Sequence, residues 1–336
     1  MTAAIDANIR PVAAVVAAWF RRATYRAKKS EQPITNDPSS PRATGIATSR
    51  WYTETDTLLL LATLTTVEND LHIGTIRVSG IEVEVAGASG DLYFQQCLNQ
   101  GDLLEPSVRI ADLVLRDDPV ILDIGASIGG VTAALAKRFP AGQVVAFEAA
   151  PSVHRSLRET VRRATGAPIT VVEKAVGAEP GMLRFHEDGN GSGWGFLSEE
   201  LGVVSVPVVT VDDIVAELRL DRVDFLKIDV EGGELGVLRG AEGTLLRDQP
   251  LLLFEVNVFC LWRYGRTLPQ DLFSWVRERY AHTAAIDHEG TVTAIDGDAT
   301  VNHVLHLLGA GPGVIDVVAS NDPIDVTTDH FKMGEM

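Results

Sequence analysis

Val120-Ile-Leu-Asp-Ile-Gly-Ala-Ser-Ile-Gly-Gly-Val-Thr132 decides how the rest of this chain is read. Its apolar start has the composition of a strand buried on both faces. Gly125 and Gly129 then break it, and small residues open a helix near Gly130. Glycine lets the backbone bend sharply and lets a ligand approach where a Cβ would stand in the way. The helix that follows directs its free N–H groups at that place and favours a carboxylate there.

Two acids sharpen the reading. Asp123 lies two residues before the first glycine, and Glu148 closes the next apolar run, Val144-Val-Ala-Phe-Glu148. The dinucleotide fingerprint spaces three glycines as G-x-G-x-x-G beside a pyrophosphate. Here the spacing is Gly-x-x-x-Gly with an acid at the strand end, which suits an ammonium and a sulfonium and repels a pyrophosphate. Glu148, at the end of the second strand, is placed to accept hydrogen bonds from ribose hydroxyls. Together these features describe a pocket for S-adenosylmethionine better than one for NAD. A nicotinamide-dependent oxidoreductase and a non-catalytic protein that retains the pocket are the rival readings.

Outward from this point apolar strands alternate with helical patterns. Strands are expected at 120–124, 143–148, 169–176, 223–230 and 250–257, and helices at 130–139, 152–165, 211–219, 234–246 and 269–280. Alternating stretches at 283–295 and 301–320 are expected to close the sheet. The fold class is α/β: a doubly wound, mostly parallel, seven-stranded Rossmann-like sheet with helices on both faces. Ahead of it, 71–86 alternate as a hairpin turning at Ser79-Gly80, and 94–115 read as helical, which gives an N-terminal α+β extension. The expected organisation is a basic arm and linker at 1–50, the extension at 51–115, the main domain at 116–325 and a tail at 326–336.

The chain has 336 residues and a formal net charge of −17. Eight Lys/Arg against Asp6, Glu31 and Asp37 give residues 1–50 a charge of +5, leaving −22 on the rest. So acidic a body repels phosphate backbones, which argues against a nucleic-acid partner. Two cysteines, Cys97 and Cys260, make neither a disulfide framework nor a metal-ligand spacing, and fit a reducing cytoplasm. No run of 18 apolar residues exists to span a bilayer. Pro11–Phe20 reads as a surface or homodimer-packing helix, with peripheral membrane contact through residues 11–29 as the alternative.

A third constellation is Asp224-Phe-Leu-Lys-Ile-Asp-Val-Glu-Gly-Gly-Glu234, where a strand carrying Lys227 ends among Asp229, Glu231 and Glu234. Glu255, in Leu251-Leu-Leu-Phe-Glu-Val-Asn257, falls on the same sheet edge. Open α/β sheets place their ligands at that edge. These acids could hold a substrate, a divalent metal or a catalytic proton. An unpaired buried ammonium is costly, so Lys227 is expected to pair with a neighbouring acid. Asp229 and Glu231 are the first candidates for a general base and Glu255 the next, with His154 and His186 behind them. No metal is expected; if one such as Mg²⁺ binds, Asp229, Glu231 and Glu255 would hold it. The glycine-rich loop His186–Gly195 carries Trp194, which could close over a substrate.

Asp123–Thr132, Val145–Pro151, Val208–Ile214, Val223–Leu235 and Phe254–Val256 occur in the order of the FkbM family of S-adenosylmethionine-dependent methyltransferases, and this core resembles that family. The resemblance covers about 120–260. Two departures stand out: Ser127 where an asparagine is usual, and Ala149 where a proline often follows the acid. The resemblance implies a class I methyltransferase fold and O-methylation of a small hydroxyl acceptor, such as a sugar of a glycoside, glycolipid or polyketide-type metabolite. It places Asp123, Gly125, Ala126, Ser127 and Gly129 at the methionine end of the cofactor, with Glu148 and Ala149 at the ribose. The stretch Glu173-Lys-Ala-Val176 would border the adenine, and Asp229 and Glu231 would face the transferred methyl and the acceptor.

Overall fold

The computed structural model describes residues 71–187, 195–198, 201–311 and 313–324. The arm at 1–50, Trp194 and the 326–336 tail lie outside them. Asp91 caps a first helix, and the elements follow in chain order. β1 (Leu71–Val78) and β2 (Ile81–Ala88) form the expected hairpin, followed by α1 (Leu92–Asn99), β3 (Asp102–Leu103) and α2 (Pro106–Val114). Next come β4 (Val120–Ile124), α3 (Gly130–Arg138), β5 (Gln143–Phe147), α4 (His154–Arg163), β6 (Ile169–Val172) and β7 (Ala175–Val176). β8 (Gly181–Glu187), β9 (Gly195–Leu197) and β10 (Val204–Val209) precede α5 (Val211–Glu217), β11 (Phe225–Ile228), α6 (Glu234–Arg239) and α7 (Glu242–Asp248). The chain continues through β12 (Leu251–Asn257), α8 (Val258–Arg263), α9 (Pro269–Arg277), β13 (His282–Ile286), β14 (Val292–Ala294), α10 (Asp298–Ala310) and β15 (Val314–Ser320).

The main sheet has eight strands, not seven, in the order β14-β13-β15-β12-β11-β4-β5-β6. The five from β12 to β6 are parallel, and β15 inserts antiparallel between β12 and β13. The added strand comes from 283–295, which splits into β13 and β14 around the tight turn at Asp287–Gly290. Three further expectations are corrected. Residues 301–310 are helical, because Val301, Val304 and Leu308 recur at three and four residues and bury one stripe. The helix expected over 94–115 is broken at Gly101, whose φ is +77°, and Pro106 restarts it. The strand expected over 169–176 changes sheets: β7 pairs with β10 in a separate four-stranded sheet.

Successive strand residues face opposite sides of a sheet. Leu122, Ile124, Leu226, Ile228, Leu252, Phe254 and Val317 share one core with α5, α6, α9 and α10. Ile121, Val144, Phe225, Leu251, Leu253 and Val318 face the other way. They share a second core with α3 and with Ile76, Val78, Val85, Phe94 and Ile110 of the residues ahead of β4. The hairpin and its two helices thus pack on that sheet face. The buried Thr160 Oγ1 accepts the Ala86 N–H at 2.9 Å and ties them to α4. Among the described residues, no helix is long and apolar enough to cross a membrane.

Candidate active site

Register assigns each polar group at the carboxyl edge its neighbours. Asp123 of β4 lies beside Lys227 of β11, and Lys227 beside Leu253 of β12. One rung further along the same face come Gly125, Asp229, Glu255 and, across the antiparallel pair, Asp316 of β15. The two rungs differ in chemistry.

The first is closed on itself. Asp123 is fully buried; one oxygen lies 3.2 Å from Lys227 Nζ and the other accepts from Thr132 Oγ1 at 2.5 Å. Lys227 also donates to the Gly125 carbonyl at 3.1 Å and lies 3.6 Å from Asp229. Burial works against the charge of Lys227, but Asp123, Asp229 and Glu105 outweigh it and hold the ammonium protonated. The ammonium that the sequence assigned to a ligand of Asp123 is therefore supplied by the chain itself.

The second rung is open. Asp229, Glu231 and Glu255 are half-buried, and one oxygen of each lies within 4.8 Å of the others. Glu231 holds φ +52° in the turn after β11, and the Asn257 amide donates to its Oε2 at 3.2 Å. Burial, then the Asp229 charge, pushes Glu231 up to about 8. Burial with Asp229 and Glu231 pushes Glu255 well above the carboxylate range. Asp316 reaches about 8 through burial, then Glu105 and Asp229. Glu234 acts on the backbone instead, since its Oε1 accepts the N–H groups of Val230 and Gly232 and so shapes the turn.

Across the glycine turn stands Glu148. Its Oε2 accepts the Ser127 N–H and its Oε1 the Ala150 N–H, both at 2.8 Å, while Phe147 O accepts from Gly125 and Ala126. The turn is thereby bound to the end of β5, and Ser127 takes φ +50°. Each Glu148 oxygen keeps a lone pair, and burial raises this carboxyl's pKa despite the two N–H donors. The glycines serve packing more directly than ligand access. A Cβ on Gly125 would stand 1.8 Å from the Asp229 carbonyl, and one on Gly129 2.8 Å from Leu157.

Of the other residues the sequence singled out, Ala126, Ala175 and Val176 are buried in the cores and Ala149 is half-buried. The His154 ring lies 3.0 Å from the Glu148 carbonyl, so it braces this strand end. His186 stacks on Phe196. Sequence reasoning missed Tyr93, Glu105 and Asp316, whose electrostatic partners include Asp229.

Residues 123–280 match the methyltransferase FkbM domain. The match covers a little under half of this chain. The 2-O-methyltransferase NoeI of Sinorhizobium fredii is 29% identical over 160 residues, covering 41% of this chain and 64% of that protein. Methyltransferase 1 of Beauveria bassiana is 27% identical over 148 residues, covering 38% and 59%. The chain thus spans less than two thirds of either relative's length. The crystal structure of methyltransferase FkbM from Methylobacillus flagellatus aligns with a TM-score of 0.40 at 19% identity, over 61% of this chain and 45% of that one. Both rungs' Asp123, Lys227, Asp229 and Glu255 lie inside the matched segment, as do Glu148 and Glu231. Tyr93, Glu105 and Asp316 lie outside it.

Proposed function

We propose that this chain is an S-adenosylmethionine-dependent O-methyltransferase acting on a hydroxyl of a small acceptor, with Glu231 as the general base and Asp229 and Glu255 beside it. One observation carries the reading: an open carboxylate cluster at the sheet edge of an FkbM domain, next to a glycine turn bound to Glu148.

The residues present suit the cofactor. Glu148 offers a lone pair on each oxygen to a ribose diol. α3 begins without a side-chain cap, which leaves its first N–H groups for a carboxylate. Half-exposed Asp229 offers its charge to a cationic centre. When bound, S-adenosylmethionine supplies an electrophilic methyl group on a sulfonium. The chain has to align the acceptor oxygen with that methyl and take up the hydroxyl proton. Alignment contributes up to roughly 7–11 kcal/mol in favourable systems. A base near neutral pKa contributes about 10²–10⁴-fold, and Glu231 at about 8 is so tuned. The Asn257 amide and the Cys260 thiol both bond this carboxyl and fix its position.

Thermal unfolding with S-adenosylmethionine, S-adenosylhomocysteine, NAD and NADP tests the cofactor. Ligand at 100 times its dissociation constant stabilises by about 2.7 kcal/mol. Stabilisation by the two adenosyl compounds alone supports the proposal, whereas stabilisation by a nicotinamide alone sinks it. The 4.8 Å carboxylate spacing favours one second reading, a hard divalent cation on Asp229, Glu231 and Glu255. Activity lost in EDTA and restored by Mg²⁺ would assign the cluster to a metal; activity unchanged by EDTA would assign it to the proton.

A further inference from the structure

We infer that α8 is a clip that sets the position of the proposed base, with Gly265 and Glu234 as the positioning residues. This rests on the methyltransferase reading and deepens it by naming what places Glu231.

Glu231 occupies a backbone region that glutamate disfavours. Its φ is +52°, and that of Gly232 is +106°. The left-handed region suits glycine and, less well, asparagine and aspartate. A glutamate stays there only where its surroundings over-determine it. On one side Glu234 does so. Its Oε1 accepts the Gly232 N–H at 3.0 Å and the Val230 N–H at 3.3 Å, the two amides that flank Glu231. Glu234 is itself buried, which keeps water from competing for that bridge.

On the other side stands α8, which meets the turn at both of its ends. At its start Asn257 caps the helix, accepting the Cys260 N–H through Oδ1 at 3.2 Å, and its amide donates to Glu231 Oε2 at 3.2 Å. At its close the Cys260 carbonyl accepts the N–H groups of Tyr264 and Gly265 at 2.9 and 3.1 Å. Gly265 is thereby set against Gly232, and the two backbones meet with no room for a side chain. A Cβ on Gly265 would stand 1.9 Å from the Gly232 oxygen, and one on Gly232 2.5 Å from the Cys260 oxygen. Gly265 lies outside the left-handed region, so its own conformation does not call for glycine. The contact with Gly232 does. Tyr264 extends the clip outward, its ring stacked on Phe196 of β9 at 3.5 Å.

Folding needs this turn closed, whereas proton transfer needs the Glu231 carboxyl in one place. A misplacement of about 1 Å can cost about 10²-fold in rate. That difference separates a positioning role from a structural one.

The test follows S-adenosylhomocysteine formation by the full chain, with a methyl hexoside and a simple phenol as acceptor probes. Gly265→Ala and Glu234→Ala should each lower kcat by about ten- to a hundredfold, with acceptor KM and S-adenosylhomocysteine affinity held within about twofold. Glu234→Gln keeps an accepting oxygen and should recover most of the rate. In a Glu231→Gln background no base remains to misplace, so adding either substitution should cost less than about twofold more. The inference is overturned if the substitutions slow the Glu231→Gln chain as much as they slow the parent. It is equally overturned if they cost stability and leave kcat intact, if the loss falls on KM or on cofactor affinity, or if Glu234→Gln does no better than Glu234→Ala. Should Gly265→Ala not fold, the Glu234 variants decide alone. A parent chain that binds S-adenosylhomocysteine and transfers to neither probe has no base to place and overturns it too. Failure to bind S-adenosylhomocysteine at all would instead fell the methyltransferase reading itself.

Discussion

Two neighbouring rungs of one sheet face, two residues apart along each strand, treat charge in opposite ways. At the inner rung Asp123 and Lys227 neutralise each other, Thr132 donates to the other Asp123 oxygen, and Lys227 donates to the Gly125 carbonyl. At the outer rung Asp229, Glu255 and Asp316 stand in a row with Glu231 beside them; Lys227 approaches Asp229 at 3.6 Å and the Asn257 amide donates to Glu231. Buried charges cost several kcal/mol each unless paired. The inner rung is therefore a structural fastening between β4 and β11, and the outer rung concentrates like charge instead.

The largest effect should come from breaking the fastening. Lys227→Met leaves Asp123 fully buried without its counter-ion, and loss of one partner of a buried pair costs about 3–5 kcal/mol. Denaturant unfolding should show that loss, and Asp123→Asn combined with Lys227→Met should recover much of it. A single variant as stable as the parent would mean the inner rung does not hold the fold.

At the outer rung the same class of change should spare the fold and remove the chemistry. Glu231→Gln should lower kcat by about 10²–10⁴-fold while the unfolding midpoint holds or rises. If this variant loses as much stability as Lys227→Met and keeps its turnover, the contrast between the rungs collapses.

Next in size is the opposite wall of the pocket. Glu148 accepts one N–H on each oxygen, so Glu148→Gln both weakens the turn's fastening and removes a charged acceptor for the ribose. Hydrogen bonds to charged groups contribute about 1.5–3 kcal/mol, so calorimetry should find S-adenosylhomocysteine bound roughly ten- to a hundredfold more weakly. Unchanged affinity would move the nucleoside away from Glu148.

How much of this was legible follows the range of the interactions. The glycine turn, the strand before it and Glu148 lie within thirty residues of one another, and the hairpin at 71–88 declares itself by alternation and Ser79-Gly80. The strand, the turn and the hairpin formed where those local signals put them. The pairing of Asp123 with Lys227 was not legible, because the two are 104 positions apart and become neighbours only through strand order. Tyr93, Glu105 and Asp316 belong to no motif. An acid before a proline, or one in an apolar strand, is ordinary until register sets it beside Asp229. The α10 stripe was read as alternation because the short run Val304 to Leu308 satisfies both periods.

The smallest expected effect is also the most direct measure of the outer rung's unmet charge. Asp316 has an ordinary value of 3.8 that the fold raises to about 8, so the folded state holds a proton that the unfolded chain releases. Its contribution to stability is complete below about pH 3.8 and is lost as the pH rises through about 8. Glu231, also raised to about 8, acts in the same direction. The melting temperature should therefore be lower at pH 9 than at pH 6, opposite to the course set by salt-bridged carboxylates. Asp316→Asn cannot ionise, so it should raise the melting temperature at pH 9 and change it less at pH 6. A difference of about 2–4 °C corresponds to roughly 1 kcal/mol in a domain of this size. Saturating S-adenosylmethionine, by bringing a positive charge to the rung, should flatten the same pH dependence in the parent chain. A melting temperature that rises steadily to pH 9 would mean these carboxylates are already compensated and the outer rung is no different in kind from the inner one.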